Sequence, residues 1–457
     1  MNSHFNMHLN DIAAALQLPP LPGNPVLTGI STDSRSVKPG ECFVALSGEN
    51  FDGHDYVARA AERGAAAAVV SRPMPQVAIG QLIVEHPGRA YGRIAQSWRQ
   101  RFDLPVLALT GSNGKTTVKE MLRAILAKHY GDETAVLATE GNLNNDVGVP
   151  QMMLRLNAAH RVAIFELGMN HLGEIAYLTH LLSPAVALIN MAGTAHIGEV
   201  GSRELIAEAK GEIFAGLGDA GIAVINMHDR FGAYWKSAAG AHRIVSFGIR
   251  DEDDLCARFG EVLTIATQGR EIAVRLNVPG KHNQQNALAA AAGAVALGVP
   301  LDTIEAGLQD FRGVAGRLKS YRGHNGATII DDTYNANPDS VKAAIAVLAA
   351  FPPPRMLVLG DMKELGSRAA AMHAEVGLAA REAGIESLWA IGEHMQDAVN
   401  AFGVGATHFQ EIDVLVNALK PQLLPHTHLL VKGSRSMKME RVVAQLATEY
   451  QAEPHEC

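Results

Sequence analysis

Apolar residues fall in short continuous runs separated by longer amphipathic stretches, and this rhythm repeats from residue 105 onward. The runs at 105–110, 161–167, 185–190, 222–226 and 243–247 show no polar alternation. Such runs predict strands buried on both faces, as in a parallel sheet covered by helices. Helical spacing is expected at 118–127, 173–181, 202–216 and 283–297. The stretch 251–278 breaks the rhythm and predicts a β excursion. After 313–317 a second series starts, with strands at 328–332, 356–360, 387–391 and 428–432. Helices at 340–350, 369–383 and 413–419 alternate with them, the pattern of a doubly wound sheet. Before residue 84 the pattern is shorter: a β run at 41–46, and an alanine-rich helix at 56–63 feeding a strand at 67–71. Pro73, Pro75 and Pro87-Gly88 punctuate the end of that block. The fold expected is α/β in three domains: a small N-terminal α/β domain at 1–84, a central parallel-sheet domain at 85–314 and a C-terminal Rossmann-like domain at 315–457.

Composition narrows the class. Hydrophobic residues make up 47% of the 457 positions and charged residues 19%, a globular balance. The net charge of −8 speaks against nucleic acid as a partner, since that needs a basic surface. No apolar run reaches membrane-spanning length, and the polar N-terminus has no signal-peptide core, so no membrane association and a cytoplasmic location are expected. Cys42, Cys256 and Cys457 are too few and too scattered for a disulfide framework or a cysteine-rich metal site.

The most specific chemistry lies where the first central strand ends, at Thr110-Gly111-Ser112-Asn113-Gly114-Lys115-Thr116-Thr117. A strand, a glycine turn and then a helix aim backbone N–H groups and a helix N-terminus at a polyphosphate. Lys115 is placed to reach the outer phosphates, and the Thr116 hydroxyl to hold Mg²⁺. The general phosphate-loop pattern has a glycine five places before Gly114, where this chain has Leu109. The loop is a short form, and it predicts that the central domain is a phosphate-loop domain that spends a nucleoside triphosphate.

Ligands of open α/β sheets sit beyond the carboxyl ends of the strands. The polar residues there are Glu166, suited to Mg²⁺, and Asn190, with His196 in the following loop. A lone loop histidine is by itself only a hydrogen-bonding residue. Lys210 lies at the border of an apolar helix face of Leu205, Ala209, Ile213 and Phe214, and periodicity alone reads it as a snorkelling surface lysine. Asn283 and Asn286 stand one turn apart, suiting either an adenine edge or a helix cap. In the third block Gly316-Arg317, Asp331-Asp332-Thr333-Tyr334-Asn335-Ala336-Asn337-Pro338 and 360–366 concentrate polar groups at strand ends. Lys432-Gly433-Ser434-Arg435 suits an anion or carboxylate.

Taken in order, these segments resemble the Mur ligases, the ATP-dependent amide-forming enzymes of peptidoglycan precursor synthesis. The short phosphate loop is the form this family uses. Residues 141–145, with Asn142, Asn144 and Asn145, and residues 166–170, 331–338 and 360–366 agree with the branch that adds D-alanyl-D-alanine to UDP-N-acetylmuramoyl-tripeptide. The Asp-Asn-Pro-Arg motif of the branch that adds a diamino acid is absent. The resemblance implies ATP and two Mg²⁺ ions, and catalysis by Lys115, Glu166, His196 and Lys210, with Lys210 carbamylated by CO₂ and sharing a metal with Glu166 and His196. It implies adenine contacts from Asn283 and Asn286, a phosphate contact from Arg317 and a ribose contact from Asp331 or Asp332. For the substrates it implies Ser31, Asp33, Ser34 and Arg35 on the UDP side, with Asn142, Asn144, Asn145, Tyr334, Asn335, Asn337, Lys432 and Ser434 beyond. It further implies a monomer acting on small molecules, whose third domain closes over ATP and binds the dipeptide. A folylpolyglutamate-synthetase-like ligase shares the core but not these substrate motifs. A GTP-driven switch would need Asn-Lys-x-Asp, and the chain holds no Asn-Lys pair.

Overall fold

The computed structural model describes residues 5–48, 50–194 and 197–450. Three main sheets follow one another along the chain. The first is all parallel, in the order Ile30–Ser31, Cys42–Val44, Ala67–Val70 and Gly80–Ile83. The central sheet has nine strands. Val136–Ala138, Val162–Glu166, Val106–Thr110, Val186–Ile189, Ile222–Asn226, Arg243–Gly248 and Leu255–Arg258 run parallel. Leu263–Thr267 and Arg270–Val274 extend it antiparallel, so the excursion expected at 251–278 becomes three edge strands. The third sheet is ordered Lys319–Arg322, Thr328–Asp332, His428–Lys432, Arg355–Gly360, Ser387–Ile391 and Ala406–Phe409, with only the first pair antiparallel.

Double burial of the central strands explains their unbroken apolar runs. Leu107, Leu109, Ile164 and Leu188 face the helices Lys115–Tyr130, Lys281–Ala296 and Leu301–Asp310. Val106, Ala108, Phe165 and Ile189 face the opposite layer with Ile175, Leu178 and Ile213. Each strand thus alternates its side chains between two cores rather than between core and water.

Pro87-Gly88 carries structure of its own: Pro87 is the first residue of a helix, Pro87–Arg99. Proline suits that position because the amide it lacks would have no partner there. Through Tyr91, Ile94 and Trp98 this helix shares one apolar cluster with Val44 and Val69 of the first sheet and with Met152 and Leu178 of the central layer. The helix expected at 202–216 is α-helical over Arg203–Gly211 and tightens to a 3₁₀ turn over Glu212–Gly216. No helix of the described residues is long and apolar enough to cross a membrane.

Candidate active site

Val106–Thr110 lies between Val162–Glu166 and Val186–Ile189, where the strand order reverses and a crevice opens. The phosphate loop leaves this strand and ends at Gly114, whose φ of +78° is left-handed. A Cβ there would come within 2.2 Å of Asn286 Oδ1 and 2.7 Å of Asn190 Nδ2, so glycine is required twice over. Asn190 Nδ2 donates to the Asn113 carbonyl (3.0 Å) and to Asn286 Oδ1 (3.1 Å), and Asn226 Nδ2 donates to the Asn190 carbonyl (2.7 Å). Asn286 and Asn283 continue the chain, with Asn283 Nδ2 on the Pro279 carbonyl at 2.7 Å. These amides brace the loop and line the cleft; neither Asn283 nor Asn286 caps the helix, whose N-cap is Gly280.

Helix Lys115–Tyr130 presents Lys115 and Thr116 from its first turn. Lys115 Nζ donates to the Gly111 carbonyl at 2.7 Å, and burial holds its pKa below the ordinary lysine value. Glu166 opposes that shift and Arg317 reinforces it. Thr116 Oγ1 donates to Glu166 Oε2 at 2.9 Å, and Asn144 Nδ2 donates to Glu166 Oε1 at 3.0 Å. Glu166 is 3% exposed. Ser112 Oγ is buried and has no hydrogen-bond partner among the described residues, so a phosphate loop hydroxyl stands ready for a ligand.

Lys210 differs from its expected place. It is 2% exposed, whereas Leu205, assigned by periodicity to the apolar face, is exposed. Burial first, and the Lys115 charge second, push the Lys210 pKa well below the usual lysine range. His196 lies outside the described residues.

The third sheet reaches into the same crevice. Gly316, at φ +71°, turns the chain so that Arg317 Nη2 donates to Thr116 Oγ1 at 2.8 Å, while its guanidinium lies 4.1 Å above the Tyr334 ring. Asp331 accepts from Gly316 N, Thr333 N and Thr333 Oγ1, which ties it to that turn. Asp332 is the member of the pair that lines the cleft, where it meets Lys432 Nζ at 2.7 Å. Lys432 also donates to the Asn335 carbonyl, and Ser434 Oγ accepts from Lys363 N. Asn337 Nδ2 donates to Asn113 Oδ1 (2.7 Å), and Asp339 Oδ2 accepts from Thr194 N and Oγ1 (2.9 Å each), locking this lobe against the phosphate loop.

Lys115, Thr116, Glu166, Arg317 and Asp332 open on one cleft of about 2130 Å³ lined from all three sheets' lobes, whereas Lys210 and Asp331 are not among its walls. Asn142, Asn144, Asn145, Tyr334, Asn335, Asn337, Lys432 and Ser434 line it. Ser31, Asp33, Ser34 and Arg35 are not among its walls; Arg35 and Asp33 pair with each other in an exposed turn. The first lobe instead contributes Ser47, Phe51, Ser71 and Arg89, whose guanidinium lies 3.9 Å above the Tyr177 ring. Arg89 carries no motif, and only the start of its helix at Pro87 could have pointed to it.

The cleft wall at 363–365 hangs on a buried histidine. His373 Nε2 accepts from Met362 N (3.0 Å), which leaves its proton on Nδ1, donating to the Ala369 carbonyl (2.7 Å). Burial depresses the His373 pKa, so the folded state favours the neutral ring. Below the unfolded value of 6.5 the unfolded chain binds the extra proton, and stability falls with pH until the folded pKa is passed. Urea denaturation between pH 7 and 5 should show this loss. His373→Gln should flatten the slope without removing it, because His282 is shifted the same way. An unchanged slope would rule the histidine out as its source.

Comparison with known proteins agrees with this architecture. Residues 26–98 match the Mur ligase family catalytic domain, 109–294 the Mur ligase middle domain, and 316–435 the Mur ligase glutamate ligase domain. The UDP-N-acetylmuramoyl-tripeptide–D-alanyl-D-alanine ligase of Escherichia coli K12 is 42% identical over 429 residues, covering 92% of this chain and 94% of its own. MurF from Acinetobacter baumannii superposes with a TM-score of 0.89 at 36% identity, covering 97% of this chain and 99% of its own. MurF from Thermotoga maritima, solved in complex with ADP, gives 0.80 at 26% identity over 91% of this chain and 96% of its own. With matches that run through all three lobes, this chain belongs to the Mur ligase family.

Proposed function

We propose that the protein is an ATP-dependent ligase that joins D-alanyl-D-alanine to UDP-N-acetylmuramoyl-tripeptide, giving the pentapeptide precursor of peptidoglycan. The observation that carries this reading is the meeting of Lys115, Thr116, Glu166 and Arg317, drawn from two lobes, at one end of a cleft that a third lobe extends. Its volume of about 2130 Å³ is roughly twice the upper end of a small-molecule pocket. A nucleotide and two further substrates need that room.

Amide formation from a carboxylate at neutral pH needs an activated acyl group. The tripeptide's terminal carboxylate attacks the γ-phosphorus of ATP, forming an acyl phosphate and releasing ADP. The dipeptide amine then attacks the acyl carbon, and phosphate leaves with one former carboxylate oxygen. Carboxylate and triphosphate repel each other, and Lys115 and Arg317 offset that repulsion, while the first-turn amides of helix Lys115–Tyr130 cradle the phosphates. Asn283 and Asn286 face the adenine, Asp332 is the better placed of the two aspartates for the ribose, and Lys432 and Ser434 take the dipeptide. The uridine end extends toward the first lobe.

The donors present suit Mg²⁺. Thr116 Oγ1 and Glu166 Oε2 are hard oxygens 2.9 Å apart, and among the described residues no cluster of three acidic, histidine or cysteine side chains forms a closed cage. Mg²⁺ ordinarily takes one or two carboxylates and fills its shell with water and substrate phosphates. Bound there, the ion would neutralise charge on the phosphates and polarise the γ-phosphoryl group. A second ion would use Glu166, His196 and a carbamate on Lys210. An amine with a depressed pKa is the form that reacts with CO₂, losing a proton to give an anionic oxygen ligand.

Tripeptide carrying ¹⁸O in its terminal carboxylate should deliver that label to the released phosphate. Phosphate free of label, with pentapeptide still formed, would exclude the acyl phosphate.

A further inference from the structure

Lys119 and Thr139 have no part in the reaction described above, yet the structure spends a buried charge on joining them. Lys119 stands one turn after Lys115 on the same helix and is 2% exposed. Its Nζ pairs with Glu120 at 2.8 Å and donates to the Thr139 carbonyl at 2.5 Å. Taking an ammonium out of water is unfavourable unless its partners are well placed. Pairing with Glu120 alone needed no burial, because Glu120 is itself only partly buried and a lysine stem easily carries its head to the surface.

What Lys119 gains by lying inward is the end of strand Val136–Ala138. Thr139 continues that strand, with its N–H on the Ile164 carbonyl (3.0 Å), and its Oγ1 accepts from the backbone N–H of Glu166 (2.9 Å). The Glu166 carboxylate in turn accepts from Thr116, which is on the same helix as Lys119. The contacts close a ring: Thr116, Glu166, Thr139, Lys119 and back along one helical turn. The chain leaving Thr139 also delivers Asn144 to the other oxygen of Glu166.

We infer that Lys119 and Thr139 are positioning residues that fix the Glu166 carboxylate against Thr116 for a divalent cation. The ring ties the phosphate-loop helix to the neighbouring strand end, so the two oxygen donors keep their separation whether or not nucleotide is present. The inference rests on Glu166 and Thr116 holding the metal.

The test is calorimetric binding of ADP with and without Mg²⁺, which reads the metal-dependent gain in affinity without turnover. Thr139→Val and Lys119→Met should bind metal-free ADP as the wild type does. Their Mg²⁺-dependent gain should fall about tenfold or more, the usual effect of losing a group that orients a metal ligand. Thr139→Ser, which keeps the hydroxyl, should retain the gain, and Glu166→Gln should lose it. A normal gain in Thr139→Val and Lys119→Met, with Glu166→Gln defective, overturns the proposal alone. So does a loss in Thr139→Ser equal to that in Thr139→Val. A normal gain in Glu166→Gln removes the metal assignment beneath it, and the proposal with it. Should Thr139→Val not fold, Lys119→Met decides.

Discussion

Lys115→Ala should lower ATP-dependent ligation by about 10³-fold or more, with the protein still folded. The figure is that for losing a cationic or oxyanion-type donor aimed at charge that builds up in phosphoryl transfer. In the structure Lys115 Nζ donates one hydrogen bond, to the Gly111 carbonyl, and on truncation the nearby Glu166 carboxylate keeps its bonds from Thr116 and Asn144. Phosphate release should be measured with both acceptor substrates present, and far-UV circular dichroism should match the wild type. Turnover within about tenfold of wild type would be too small a loss for such a donor and would remove the phosphate-loop assignment.

Lys210→Ala is expected to cost about as much, and to differ from Lys115→Ala in one respect: short carboxylates such as formate or acetate should restore part of the activity. Burial first, and repulsion from the Lys115 ammonium second, disfavour the charged form of Lys210. A carbamate reverses the sign of that charge, so the neighbouring Lys115 becomes a partner instead of a competitor. An added carboxylate supplies the same oxygen donors to the space the truncated chain leaves. Wild-type protein equilibrated with ¹³CO₂ should also show a carbamate carbon by NMR, absent from the variant. Full activity of Lys210→Ala without added acid would exclude the modification.

How much of this was legible in the sequence depended on how local each feature is. The phosphate loop could be read because strand, turn and helix are contiguous, and Gly114 marks a backbone that only glycine fits. Glu166 and Asn190 stood out because polar residues at the ends of buried strands are conspicuous against apolar runs, whereas Asn226, at the end of Ile222–Asn226, was passed over. Their partners were not legible: Asn190 meets Asn286, 96 residues on, and Arg317 meets Thr116 across 201 residues. Lys210 was misplaced by periodicity because one helix's pattern does not tell how many faces its neighbours cover, and this helix is buried on more than its apolar side. The Pro87 helix was hidden by a residue that ends helices in their interior and begins them at their first turn.

The amides of Asn226, Asn190, Asn286 and Asn283 hold the nucleotide loop without a single ionisable group among them. Acid has no purchase on those amides themselves; it acts through the ring of His282, next to Asn283, and the buried ring of His373 in the third lobe. On mild acidification, protonation of these two rings should therefore strain both sides of the cleft.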